Sequence, residues 1–135
     1  MSYKLHEIEG IGLSYAQKLA TAGMDTTDHL LEKGSTKQGR GQIAAACGIS
    51  EALILKWVNH SDLFRIKGIA GQFAELLEAA GVDTVKEFRN RVPENLHKKL
   101  EEINAEKKLT RRVPSLAELT SMINQAKELE PKVTY

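Results

Sequence analysis

The feature that most constrains this chain is an internal echo. The stretch "IEGIGLSYAQKLATAGMDT", beginning at Ile8, returns 58 residues later as "IKGIAGQFAELLEAAGVDT", beginning at Ile66. Across 8–30 and 66–88, nine of 23 positions are identical: Ile8/Ile66, Gly10/Gly68, Ile11/Ile69, Ala16/Ala74, Leu19/Leu77, Ala22/Ala80, Gly23/Gly81, Asp25/Asp83 and Thr26/Thr84. Tyr15/Phe73 and Leu30/Phe88 keep apolar bulk. Two copies are too few for a solenoid, which needs about three or more to bury a continuous core. The expectation is one all-α, pseudo-symmetric domain over 1–135, with repeat one over about 5–62 and repeat two over about 63–130.

The helical reading rests on pattern. Alternating Val/Ile/Thr runs are absent and aromatic residues are only 5%. Tyr15, Ala16, Leu19 and Ala22 share one helical face, closed by Gly23. "STKQ" at Ser35–Gln38, "TVKE" at Thr84–Glu87 and "SLAE" at Ser115–Glu118 have capping-box spacing, in which a hydroxyl and a carboxylate or amide satisfy each other's backbone N–H. Pro93 and Pro114 fall where helices are expected to begin, where a missing amide costs nothing. About eight to ten short helices joined by short turns are predicted.

Charge bounds the partners. The chain of 135 residues carries 19 basic and 18 acidic side chains, a net charge of +1. A dedicated duplex binder shows a basic excess over at least one face. Only "HKKLEEINAEKKLTRR" (97–112) leans positive, with six Lys or Arg against three Glu. No apolar run approaches the ~20 residues of a membrane span, and the N-terminal "MSYKLHEIEG" is charged where a signal peptide needs an apolar stretch. With the single cysteine, Cys47, this points to a reduced, cytoplasmic protein without an intrachain disulfide.

The repeated stretch resembles the helix-hairpin-helix motif. In copy two, "ISEALILKWVNHSDLFRI" supplies the leading helix, "KGIAG" the hairpin and "QFAELLEAAG" the second helix. In copy one only seven residues precede Ile8, so its leading helix is stunted or missing. The resemblance implies hairpin amides that hold a DNA phosphate without reading bases, assisted by the positive end of the following helix dipole. It implicates Lys67, Gly68, Ala70, Gly71 and Gln72 in copy two, and Gly10, Gly12 and Ser14 in copy one. Two departures stand out: Glu9 lies inside hairpin one, where it repels phosphate, and Ala70 replaces the second glycine of hairpin two, although Gly71 follows at once. The alternative is purely architectural: glycines that allow a close turn, with Ile11 and Ile69 plugging the core.

Over roughly residues 5–130 the chain resembles a bacterial family of unknown function built from paired helix-hairpin-helix-like repeats. The resemblance rests on "IEGIG", "GSTKQGRGQIAAACGIS", "LKWVNHSDLFRIKGI" and "LLEAAGVDTVKEF". Such a family implies an architecture and no chemistry, since a shared fold does not establish function.

Other motifs weigh less. "RGQIAAACGISEALILKW" has helix-turn-helix spacing at Ala44, Gly48 and Ile54, but Glu51 and Leu55 suit a major groove poorly; two helices joined by a glycine turn, with Ser50 as cap, is the simpler reading. The loop "EKGSTKQGRGQ" lacks P-loop spacing and offers Arg40 as an assisting cation. His6, His29, His60 and His97 are dispersed, without metal-ligand spacing. Cys47 and Trp57 read as core residues, and His60 with Asp62 as a helix end. The expectation is a non-enzymatic binding module without cofactor, metal or small-molecule substrate. Its favoured partner is duplex DNA or another nucleic acid, contacted at the backbone. The alternative is a protein-interaction or scaffold module.

Overall fold

The computed structural model describes residues 3–69 and 71–135. Leu5–Glu7 forms a 3-10 turn, followed by α1 (Leu13–Thr21), α2 (Thr27–Gly34), α3 (Lys37–Cys47) and α4 (Glu51–Leu63). The second half holds α5 (Gly71–Ala79), α6 (Val85–Phe88), α7 (Pro93–Lys107) and α8 (Leu116–Glu128). The described residues form no strand; a lone bridge pairs Lys4 with Thr26. The all-α expectation holds.

Local chemistry sets these boundaries. Thr26, Ser50, Thr84 and Ser115 each accept the amide three residues on, and Ser115 with Glu118 completes the expected capping box. At α3 the cap is Thr36, which accepts from the Gly39 amide, because Ser35 is already the C-cap of α2. Pro93 is the first residue of α7, whereas Pro114 precedes the Ser115 cap and lies outside α8. Gly48, at φ +66°, turns α3 into α4, as the simpler reading of that stretch required.

The two echoing segments match locally. α1 and α5 are nine residues each, Gly10 and Gly68 have φ of +90° and +96°, and Gly23 and Gly81 have φ of +87° and +89°. What precedes them differs: a three-residue turn before the first, the 13-residue α4 before the second.

α4 lies at the centre, packed against α2, α3 and α5, while α8 closes over α6 and α7. Its Trp57 is 1% exposed and meets the Tyr15 ring at 5.0 Å. This makes Trp57 a core anchor rather than a base-stacking platform. Cys47 is buried too, and burial pushes its thiol pKa up, away from nucleophilic use. The buried apolar residues of both halves form one cluster.

Candidate interaction groove

Each hairpin is a turn locked by apolar plugs. Ile8 and Ile11 are buried with the Ile11 amide donating to the Ile8 carbonyl at 3.1 Å; Ile66 and Ile69 repeat this at 3.2 Å. The glycine between them must be left-handed, a conformation that strains any residue with a Cβ, which explains Gly10 and Gly68.

The two hairpins meet. Gly71 is buried, and a Cβ placed on it would fall 2.5 Å from the Glu7 carbonyl oxygen and 3.3 Å from the Glu9 Cγ. On its other side hairpin two leans on α8. The Lys67 amide donates to Gln125 Oε1 at 3.1 Å, and Gly68 faces the Met122 methyl.

Beside this contact opens a groove of about 650 Å³. Phe64, Phe73 and Met122 give it an apolar floor, Glu9 and Gln72 stand on the hairpin side, and Arg111 stands on the far wall. The far wall is held in place by Asn104. Its side-chain amide donates to the Thr110 carbonyl at 3.0 Å and accepts the Thr110 amide at 2.9 Å, pinning the loop after α7. The family described as Domain of unknown function (DUF4332) matches residues 9–129 of this sequence, which hold α1 to α8 and both hairpins but for Ile8.

The chain belongs to this DUF4332 family. No curated protein and no solved structure matches it.

The groove of this DUF4332 domain carries both signs of charge. Arg112 holds Glu118 through two bonds of 2.7 and 2.9 Å, and this guanidinium, with the Ser115 amide, takes the Glu118 carboxyl down to about 2. Arg112 is thereby neutralised at the rim, while Arg111 makes no ion pair among the described residues. Glu9 turns its carboxylate toward Gly71, so hairpin two has an acidic neighbour.

The residues singled out from the sequence scatter over this frame. Lys67, Gly68 and Gln72 are exposed at hairpin two, and Gly10, Gly12 and Ser14 at hairpin one. Ala70 lies outside the described residues. Gly71 is covered by hairpin one.

Arg40 belongs elsewhere. It is 5% exposed, and its guanidinium donates to the carbonyls of Gly34, Ser35 and Thr134 at 2.9, 3.2 and 2.7 Å. It ties the chain's last residues to the α2–α3 corner. The basic segment 97–112 is likewise divided, since His97 pairs with Glu101 and only its end reaches the groove.

His60 and Asp62 form no dyad. The His60 Nε2 meets Glu78 Oε2 at 2.9 Å, whereas Asp62 accepts from Arg65 at 2.7 Å and from the Val85 amide at 2.8 Å. Among the described residues no helix is long and apolar enough to cross a membrane.

Proposed function

We propose that this DUF4332 domain is a non-enzymatic protein-interaction module. Its paired helix-hairpin-helix-like repeats serve as architecture, and the groove beside them receives a segment of a partner protein. The observation that carries this reading is the seating of Gly71 on Glu7. A phosphate approaching hairpin two meets the Glu7 carbonyl and the Glu9 carboxylate, and the Lys67 and Ile69 amides already have acceptors. An apolar floor flanked by both charge signs suits a peptide better than a polyanion. A cytoplasmic, reducing setting goes with the free, buried Cys47.

A second reading has its own observation. Gln72 and Arg111 line the same groove, with exposed Lys67, Lys107 and Lys108 elsewhere on the chain's surface, so these side chains offer contacts to a nucleic-acid backbone.

One pair of measurements separates the two. Peptides selected from a displayed library on the folded protein should lose binding when Gln72→Glu and Arg111→Glu are combined, and random duplex should not bind even at low salt. Peptide binding indifferent to these substitutions would overturn the groove assignment. Duplex binding that falls steeply with salt and weakens in Lys67→Glu would establish the second reading instead.

A further inference from the structure

Helices α4 and α5 bring together a second group of side chains, outside the groove. His60 and Lys56 stand one turn apart on α4 and face Glu75 and Glu78, one turn apart on α5. The His60 ring nitrogen and one carboxylate oxygen from each glutamate all lie within 4.8 Å of one another. The Lys56 ammonium sits against both carboxylates, 3.1 Å from Glu75 Oε1 and 3.7 Å from Glu78 Oε1. The two acids thus already converge on one cation.

We infer that His60, Glu75 and Glu78 form a binding site for a first-row divalent transition ion, in which Lys56 stands in for the metal when none is bound. One imidazole and two carboxylates make a donor set that such ions accept, and three protein ligands leave a position open. An ion needs each ligand atom at roughly 2.0–2.2 Å, so the carboxylates must shift to take it: His60 Nε2 and Glu78 Oε2 stand 2.9 Å apart as a hydrogen-bonded pair and must part to admit the ion. Both glutamates are only part-buried and free to do so, at 23% and 31% side-chain exposure.

Charge favours the exchange. Two carboxylates and one ammonium leave the cluster one unit negative, whereas a dication brings it to zero.

The imidazole is a buried ligand that the fold holds in place. His60 is 0% exposed, and its Nδ1 has no hydrogen-bond partner among the described residues. With the Nε2–H on Glu78 the orphan is a lone pair; with a metal on Nε2 the proton resides on Nδ1. Among the described residues Nδ1 has no partner in either state, so metal binding exchanges the Glu78 contact at Nε2 for a bond to the ion and leaves the other ring nitrogen unpaired as before.

The test uses the intact chain stripped of metal, titrated with Zn²⁺ by calorimetry and with Co²⁺ by visible absorption. One ion per chain is expected, with absorption bands of a nitrogen–oxygen Co²⁺ site. Glu75→Gln and Glu78→Gln should each weaken binding at least about tenfold, the loss seen when even outer partners of metal ligands are removed. Lys56→Met should bind at least as tightly as the wild type. The glutamate variants sit at a part-exposed surface, and circular dichroism confirms their fold. The assignment is overturned if the wild type takes up no ion, even where Lys56→Met does, or if both glutamine variants bind as the wild type.

Discussion

Gly71 rests directly on the backbone of Glu7: a Cβ at position 71 would fall 2.5 Å from the Glu7 carbonyl oxygen. The obstacle is main chain and has no rotamer to adopt, so Gly71→Ala must push the hairpins apart. The expected cost is about 1–3 kcal/mol in chemical denaturation, the usual range for overpacking. Gly12→Ser is the control. Gly12 is the cap of α1, has nothing among the described residues within 4 Å of a Cβ, and should change stability by no more than about 0.5 kcal/mol.

Asp62 links α4 to the start of α6. It is 1% exposed, pairs with Arg65 and accepts the Val85 amide. Asp62→Ala removes the partner of a guanidinium and orphans a buried amide together. A loss of about 3–5 kcal/mol is expected, as for breaking a buried ion pair. Urea unfolding monitored by circular dichroism measures it, and a loss under about 1 kcal/mol would deny the link that role.

Glu118 should titrate at about 2 in the folded chain, and Arg112→Gln should return it toward the ordinary carboxylate range. Carboxyl-carbon NMR follows both. The folded value lies below the unfolded one, so the pair's stabilising effect is complete above the ordinary range and fades as pH falls toward 2. The residues are exposed, and high salt should bring the titration back toward normal.

Arg40 should act as a latch for the last residues of the chain. Its bond to the Thr134 carbonyl stands beside the Thr134 amide bond to the Ser35 carbonyl at 2.8 Å. Arg40→Met should cost about 1.5–3 kcal/mol, the value of hydrogen bonds from a charged group. It should also speed hydrogen exchange at Thr134 while leaving α4 protected. Unchanged exchange at Thr134 would show that the amide bond holds the tail unaided.

Local pattern made much of this molecule legible. The helices, the caps at Thr84 and Ser115, the Gly48 turn and the burial of Trp57 and Cys47 all follow from residues within one or two turns of each other. The short leading element of copy one was legible too, as the turn Leu5–Glu7. The groove was not. Its walls come from 3–9, 64–73 and 110–122, and no periodicity relates those stretches. Asn104, which positions the far wall, looks like any polar helix residue until Thr110 is seen bonded to it. Arg40 misled for the reverse reason: its flanking glycines mark a loop in sequence, yet it lies inside α3. Ligands drawn from two helices, as in His60 with Glu75 and Glu78, also have no spacing signature.

By itself, then, the sequence determined an all-helical chain with one corner written twice, because helix periodicity, caps and left-handed glycines are short-range consequences of the residues. Tertiary structure alone decided what is packed against those corners. Packing hairpin against hairpin covers Gly71 and turns Glu9 toward it, and packing hairpin two against α8 gives the Lys67 amide to Gln125, 58 residues away. Whether a backbone amide or a cation is open to a partner depends on what the rest of the chain has placed against it, and close packing settles that only when all the helices are together.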